Sequence, residues 1–207
     1  MENFERNVFI NCPFDKDYLP ILEAMLFCII FLKLNPLLAT IRNDGGEIRL
    51  EKIKNLIETS KFSIHDLSRS QARQKGEYSR MNMPFELGMD YGCRRFCGGR
   101  HAEKSMLILV EEKHKHQIFI SDLAGFDVEA HEASHQEAVR KVRHWLYDKA
   151  NVEAPGPARI LGKYEDFRGW HLERQHAKGF DVDDIQDTPT VELLDAMKEW
   201  CALGAPV

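Results

Sequence analysis

The sequence has no excess of basic residues: Lys and Arg number 28 against 33 Asp and Glu, a formal net charge of -5. Proteins that track a nucleic-acid polymer carry a basic surface, so a polymer is not the expected partner. A small nucleotide needs only a few local positive groups and stays open. No apolar run is long enough for a membrane. The most apolar stretch, residues 19–32, covers 14 positions and includes Glu23, short of the roughly 20 residues that cross about 30 Å of hydrocarbon. Residues 1–6 lack the basic and apolar regions of an export signal. A disulfide framework is missing too. The cysteines are Cys12, Cys28, Cys93, Cys97 and Cys201, an odd number, and Cys28 lies in an apolar run where a reduced thiol acts as a small hydrophobe. A reducing cytoplasm is the expected location, with no membrane partner.

Common catalytic signatures are also missing. There is no Gly-x-Gly-x-x-Gly, no Walker phosphate loop and no Gly-x-Ser-x-Gly elbow, which counts against a Rossmann dinucleotide mode, triphosphate hydrolysis and a serine-hydrolase elbow. Cys93, Cys97 and His101 are spaced by four, but no fourth ligand is evident, so no metal is expected.

What is present is an ordinary globular composition of 43% hydrophobic and 29% charged residues, enough apolar material for a core. Residues 7–11 form a short apolar run before the loop Cys12-Pro13-Phe14-Asp15 and read as a buried strand. Asp15 or Asp17 then caps a helix running through Lys33, apolar on nearly all sides. Residues 37–41 read as a second strand, followed by the turn Asn43-Asp44-Gly45-Gly46 and a helical spacing of Ile48, Leu50, Ile53, Leu56 and Ile57. Residues 62–67 read as a third strand, 68–81 as a polar loop, and about 84–94 as a helix with Asn82 as cap and Pro84 in its first turn. Residues 105–110 are the clearest strand, and 132–149 a long helix. Alternating strands and helices predict an α/β fold with a parallel sheet covered on both faces. After Ala154-Pro155-Gly156-Pro157 the pattern changes, and residues 151–207 read as a helical C-terminal appendage to a domain spanning 1–150. Phe167, Trp170 and Trp200 in the appendage suggest a packed interface.

In an open parallel sheet, ligands bind outside the carboxyl ends of the strands. Polar residues concentrate in the three loops expected there: Asn11 to Asp15, Arg42 to Glu47, and His65-Asp66-Leu67-Ser68-Arg69 with Asn82-Met83-Pro84-Phe85-Glu86-Leu87-Gly88.

Those runs, Val8-Phe9-Ile10-Asn11-Cys12-Pro13-Phe14-Asp15, Ile64-His65-Asp66-Leu67-Ser68-Arg69 and Asn82 to Gly88, resemble a group of bacterial TIR-like proteins, whose broader relatives are TIR domains and nucleoside 2-deoxyribosyltransferases. The resemblance covers roughly residues 6–150. It implies a flavodoxin-like (TIR-like) sheet, a nucleotide-processing domain, self-association and a role in bacterial anti-phage defence. It also implies that Glu86, in the Phe-Glu-Leu-Gly element, is the catalytic carboxylate. The His65-Asp66-Leu67-Ser68-Arg69 run departs from the usual small and hydroxyl residues of TIR domains, and the appendage has no counterpart in a minimal one.

Cleavage of an N-glycosidic bond passes through an oxocarbenium-like state that a carboxylate can stabilise or trap. Glu86 suits that role; the alternative is a carboxylate that merely complements a helix dipole. His65 and Asp66 end a strand, where Asp66 can bind ribose hydroxyls, hold His65 or make a turn. Arg69 and Arg80 can clamp phosphates or be solvated. Asn11 and Asp15 follow the first strand, with Asp15 equally a cap; Phe14 either stacks on a base or plugs the core. Asp44 belongs to a lid or a plain turn, and Ser68 and Asn82 complete the polar set. The expected activity is cleavage of a nucleotide such as NAD, as substrate and not as cofactor. The alternatives are deoxyribosyl transfer and a non-catalytic nucleotide-binding scaffold.

Overall fold

The computed structural model describes residues 3–40, 45–69, 81–113 and 115–205. Five strands form one sheet: β1 Asn7–Asn11, β2 Asn35–Leu37, β3 Phe62–Asp66, β4 Ser105–Val110 and β5 Val128–Ala130. Their order is β2-β1-β3-β4-β5 and every pairing is parallel. The fold is flavodoxin-like. β1 and β3 are buried along their whole length, as strands covered on both faces are; β1 is apolar at its three central positions, whereas β3 also buries Ser63, His65 and Asp66.

Side chains alternate across the sheet. Val8, Ile10, Phe62, Ile64, Leu107 and Leu109 join the core with α1 Leu19–Phe31 and α4 His135–Lys149. On the other face Phe9 packs with Ile53, Ile57 and Cys93 of α2 Arg49–Glu58 and α3 Asn82–Phe96. Ile108 and Val110 meet Met83 and Leu87 of α3 there.

The C-terminal helices are α5 Pro157–Ala177, α6 Val182–Gln186 and α7 Thr190–Ala202. α5 and α7 lie against α1, and α5 also against α4. Ile160, Tyr164, Phe167, Leu194, Met197 and Trp200 enter the same core as the sheet. This accounts for the all-round apolarity of α1: one side faces the sheet and the other is covered by α5 and α7. No helix among the described residues is long and apolar enough to cross a membrane.

Several local expectations are corrected. The second strand is Asn35–Leu37, not 37–41; Pro36 is tolerated because β2 is an edge strand. Neither Asp15 nor Asp17 caps α1: Tyr18 holds that position without a side-chain cap, and the Asp15 carboxylate is bound to Arg69. Asn82 is the first residue of α3, and Met81 precedes it without a side-chain cap. Glu86 therefore lies in the second turn. Pro84 still falls in the first turn, where its missing N–H costs nothing. α4 begins at His135, with Ser134 Oγ accepting from the Glu137 N–H at 3.2 Å.

Candidate functional site

Because β1 is followed by a crossover to β2 on one side and its other neighbour is β3, the sheet's switch point lies at the carboxyl ends of β1 and β3, where open α/β sheets take their ligands. A cleft of about 150 Å³ lies there, lined by Ile10, Asn11, Cys12, Pro13, Phe14, Ala39, Arg49, Asn82, Met83 and Glu86. Its walls are the end of β1, the loop after it, Ala39 beyond β2, the first turn of α2 and the first two turns of α3. Whole-ligand pockets typically run to roughly 300–1,000 Å³, so the space suits one ring of a ligand.

Glu86 is 5% exposed and is the only carboxylate among these lining residues. Burial raises its pKa, and Arg49, whose Nη2 stands 3.7 Å from Oε1, pulls the other way. Arg49 itself is more than half exposed at the mouth. A cation in a helix's first turn opposes the dipole by roughly 0.3–1 kcal/mol, so its position favours the carboxylate opposite more than α2. Cys12 is no candidate nucleophile. Burial, then the charges of Asp66, Glu86 and Asp15, push its thiol well above the ordinary range and keep it protonated. Phe14 both lines the cleft and packs against the main core.

His65 lies beneath the cleft, fully buried. Asn11 Nδ2 is 3.0 Å from His65 Nδ1 and donates to the Met83 carbonyl at 2.8 Å. His65 Nε2 is 3.0 Å from Asp90 Oδ2, and Lys104 Nζ is 3.1 Å from Asp90 Oδ1. Lys104 also donates to the Ile57 carbonyl at 2.7 Å and to the Ser60 carbonyl. Burial alone would raise the Asp90 pKa, but the His65 hydrogen bond and the Lys104 charge hold it below the ordinary carboxylate range.

Asp66 does not hold His65. Neighbouring residues on a strand face opposite ways, and Asp66 points to the α1 and α4 side. There it accepts from Tyr18 Oη at 2.5 Å, from the Ser68 N–H at 2.9 Å and from Ser68 Oγ, and pairs with His131 Nε2 at 3.0 Å. Burial pushes its pKa up, but the bonds from His131, Ser68 and Tyr18 outweigh it and the net shift is downward. Arg69 grips Asp15 with two 2.8 Å bonds and lies 3.7 Å from Glu111.

The structure thus divides the expected site residues. Asn11, Phe14, Asn82 and Glu86 line the cleft, with His65 behind Asn11. Asp66 and Ser68 are bound to Tyr18 and His131, and Asp15 and Arg69 to each other; none of these four lines the cleft. Asp44 and Arg80 lie outside the described residues. Sequence reasoning missed Arg49, Asp90, Lys104, Tyr18 and His131. Arg49 was within reach, since the first turn of the helix after β2 must start at the ligand-binding edge. Asp90 is four residues after Glu86, hence on the same helix face.

His131-Glu132-Ala133-Ser134-His135 matches the H-E-x-x-H zinc pattern, which requires both histidines on one helix face. Here Glu132 and Ala133 have φ of +52° and +53°, His131 is tied to Asp66, and the helix starts only at His135. The pattern is therefore broken by a turn, and no group of three or more metal-ligating side chains occurs among the described residues.

No protein-family model matches the chain, and neither a curated protein nor a solved structure matches it. Function is therefore read from the cleft.

Proposed function

We propose that the protein cleaves the N-glycosidic bond of a small nucleotide, with NAD as the favoured substrate and Glu86 as the carboxylate that meets the developing sugar cation. The observation that carries this reading is a poorly hydrated carboxylate, 5% exposed, in a cleft at the sheet's switch point. Burial disfavours its anion, as the upward pKa shift records, so an arriving cation gains more from it than from a hydrated carboxylate.

Having one carboxylate among the described lining residues favours one class of leaving group. When the C1′–N bond of NAD breaks, the bonding pair returns to a positively charged pyridinium nitrogen and nicotinamide leaves neutral, needing no proton. Glu86 stabilises or traps C1′. Water then adds its oxygen to C1′ and releases its proton to solvent. A neutral purine nucleoside would need a second group to protonate the base, and among the described residues the cleft offers no second carboxyl, only the Cys12 thiol, whose raised pKa makes it a poor proton donor. That difference favours NAD cleavage over deoxyribosyl transfer. The likeness of the Asn-Met-Pro-Phe-Glu-Leu-Gly run, residues 82–88, to TIR-like proteins is what links the activity to anti-phage defence.

The test is mass spectrometry of NAD, nicotinamide mononucleotide and deoxynucleosides with free bases after incubation at high protein concentration. Nicotinamide release that drops at least about 10³-fold in Glu86→Gln, at unchanged circular dichroism, is the expected result. Base exchange among deoxynucleosides would instead establish a transferase. Unchanged nucleotides with measurable binding would establish a scaffold.

A further inference from the structure

Three fully buried ionisable side chains, His65, Asp90 and Lys104, stand in a row behind the cleft wall. Burying charge costs free energy unless every group is paired, and the row ends on Asn11, a cleft residue. Its hydrogen bonds can be oriented by elimination. The Met83 carbonyl only accepts, so the Asn11 atom at 2.8 Å from it is the NH₂ group. The same nitrogen faces His65 Nδ1 at 3.0 Å, so Nδ1 offers its lone pair and carries no proton. The ring proton is then on Nε2, directed at Asp90 Oδ2, whose charge is balanced by Lys104 on Oδ1. Both Asn11 N–H groups are used, which leaves Oδ1 as the acceptor of that carboxamide. The bond to Met83 also ties β1 to the first turn of α3, one turn before Glu86.

We infer that His65, backed by the Asp90–Lys104 pair, is the positioning residue of this site, fixing the Asn11 carboxamide in one orientation and holding the Glu86 turn of α3 at a set distance from β1. Lys104 anchors the far end, because it is itself fixed by the carbonyls of Ile57 and Ser60 at the end of α2. All three elements that wall the cleft, β1, α2 and α3, are thereby joined by one line of hydrogen bonds that is closed by the Asp90–Lys104 ion pair. The cleft presents an acceptor beside a carboxylate and is suited to a ligand that brings hydroxyl donors, as a ribose does.

The inference rests on Glu86 being the site carboxylate, and the experiment keeps the two apart. Nitrogen-15 spectra of the wild-type protein read the relay without any turnover. They are expected to show His65 protonated on Nε2 alone, and slowly exchanging Asn11 carboxamide protons. A proton on Nδ1, or Asn11 protons that exchange as freely as those of a surface amide, overturns the relay even if NAD is cleaved. The converse result, a relay intact in the spectra with no nucleotide turned over, refutes the glycosidase and leaves the relay standing. In an active protein, His65→Leu should lower kcat/KM by about 10²-fold, the order expected of a small misplacement in a site. His65→Gln can accept from Asn11 and donate to Asp90, so it should recover most of that loss. Equal losses in both variants, or none in His65→Leu, overturn the positioning role. If neither variant folds, the wild-type spectra still decide.

Discussion

The two faces of the sheet are built differently. On the α1 and α4 side the chain adds another layer: Phe27 meets Tyr164 at 5.4 Å, Phe167 at 5.6 Å and Trp200 at 5.6 Å between ring centroids. That side is thick and mostly apolar, its buried polar groups being Asp66 with its partners and His171 on Phe167. On the other side the cover is one layer, α2 and α3 with Leu123 and Ile120 of the segment before β5, and a Lys, an Asp and a His are buried beneath it. Apolar burial stabilises wherever it occurs, whereas a buried ion pair is often no better a stabiliser than apolar residues of the same volume. The cleft is on the second side. Stability is concentrated on one face and the candidate chemistry on the other.

The sharpest way to break this contrast is on the thick face. Trp200→Ala should cost roughly 3–5 kcal/mol, the range for a fully buried aromatic, read as a lower urea midpoint. The turnover per folded molecule should not change. A loss below about 1 kcal/mol would show that α7 is not part of the main core. Nearly as large an effect is expected from Lys104→Met on the thin face. It strands the Asp90 carboxylate, and breaking one half of a buried pair costs roughly 3–5 kcal/mol. Here activity should fall together with stability, and Asp90→Leu added to Lys104→Met should recover part of the stability, the His65 Nε2–H then being unpaired, but not activity. Recovery of both would remove the distinction between the faces.

Smaller, and dependent on pH, is the effect at Asp66. Its folded pKa is depressed, because the bonds from His131, Ser68 and Tyr18 outweigh burial. The sign follows: the stabilisation is present above the carboxyl's unfolded pKa and is lost as pH falls through the lower folded value. Asp66→Asn should cost roughly 1.5–3 kcal/mol at neutral pH, the range for hydrogen bonds to a charged group. The gap from wild type should close on acidification. A pH-independent gap in thermal melts would mean that Asp66 is not ionised in the folded protein.

Sequence patterns reach some of this and not the rest, for physical reasons. β1 and β4 are legible to the residue because strands buried on both faces are short apolar runs with polar ends. β5, only Val128–Ala130 and half exposed at its start, carries no such run and was not foreseen. The apolarity of α1 marks a deeply buried helix, but nothing local says that α5 and α7 supply the second cover. At the site, the rule that ligands meet the carboxyl ends of strands brings Asn11, Phe14, Asn82 and Glu86 together. It does not separate His65 from Asp66, adjacent residues that alternation sends to opposite faces. Lys104 and Asp90 look like solvated charges, since the partners that make their burial tolerable lie 14 residues apart along the chain.

The least disruptive test is Arg49→Ala at the mouth of the cleft. The Arg49 side chain is 56% exposed and its 3.7 Å separation from Glu86 is too long for a hydrogen bond, so the pair contributes only about 0–1 kcal/mol to stability. Its effect on Glu86 should nonetheless be visible. Burial raises the Glu86 pKa and Arg49 opposes that rise, so removing Arg49 moves the pKa further up. A raised carboxyl pKa means that the folded state binds the proton more tightly than the unfolded one. Stability contributed by the protonated form is then lost as pH rises from the unfolded value through the folded one. The Arg49→Ala protein should therefore be closest to wild type in acid and weaker near neutrality. If Glu86 acts as the anion, the acid limb of the rate profile should shift to higher pH in this variant, with the neutral plateau reached later. An acid limb that stays in place, while carbon-13 titration shows the Glu86 carboxyl shifted, would mean that the anion meets no cation in the rate-limiting step.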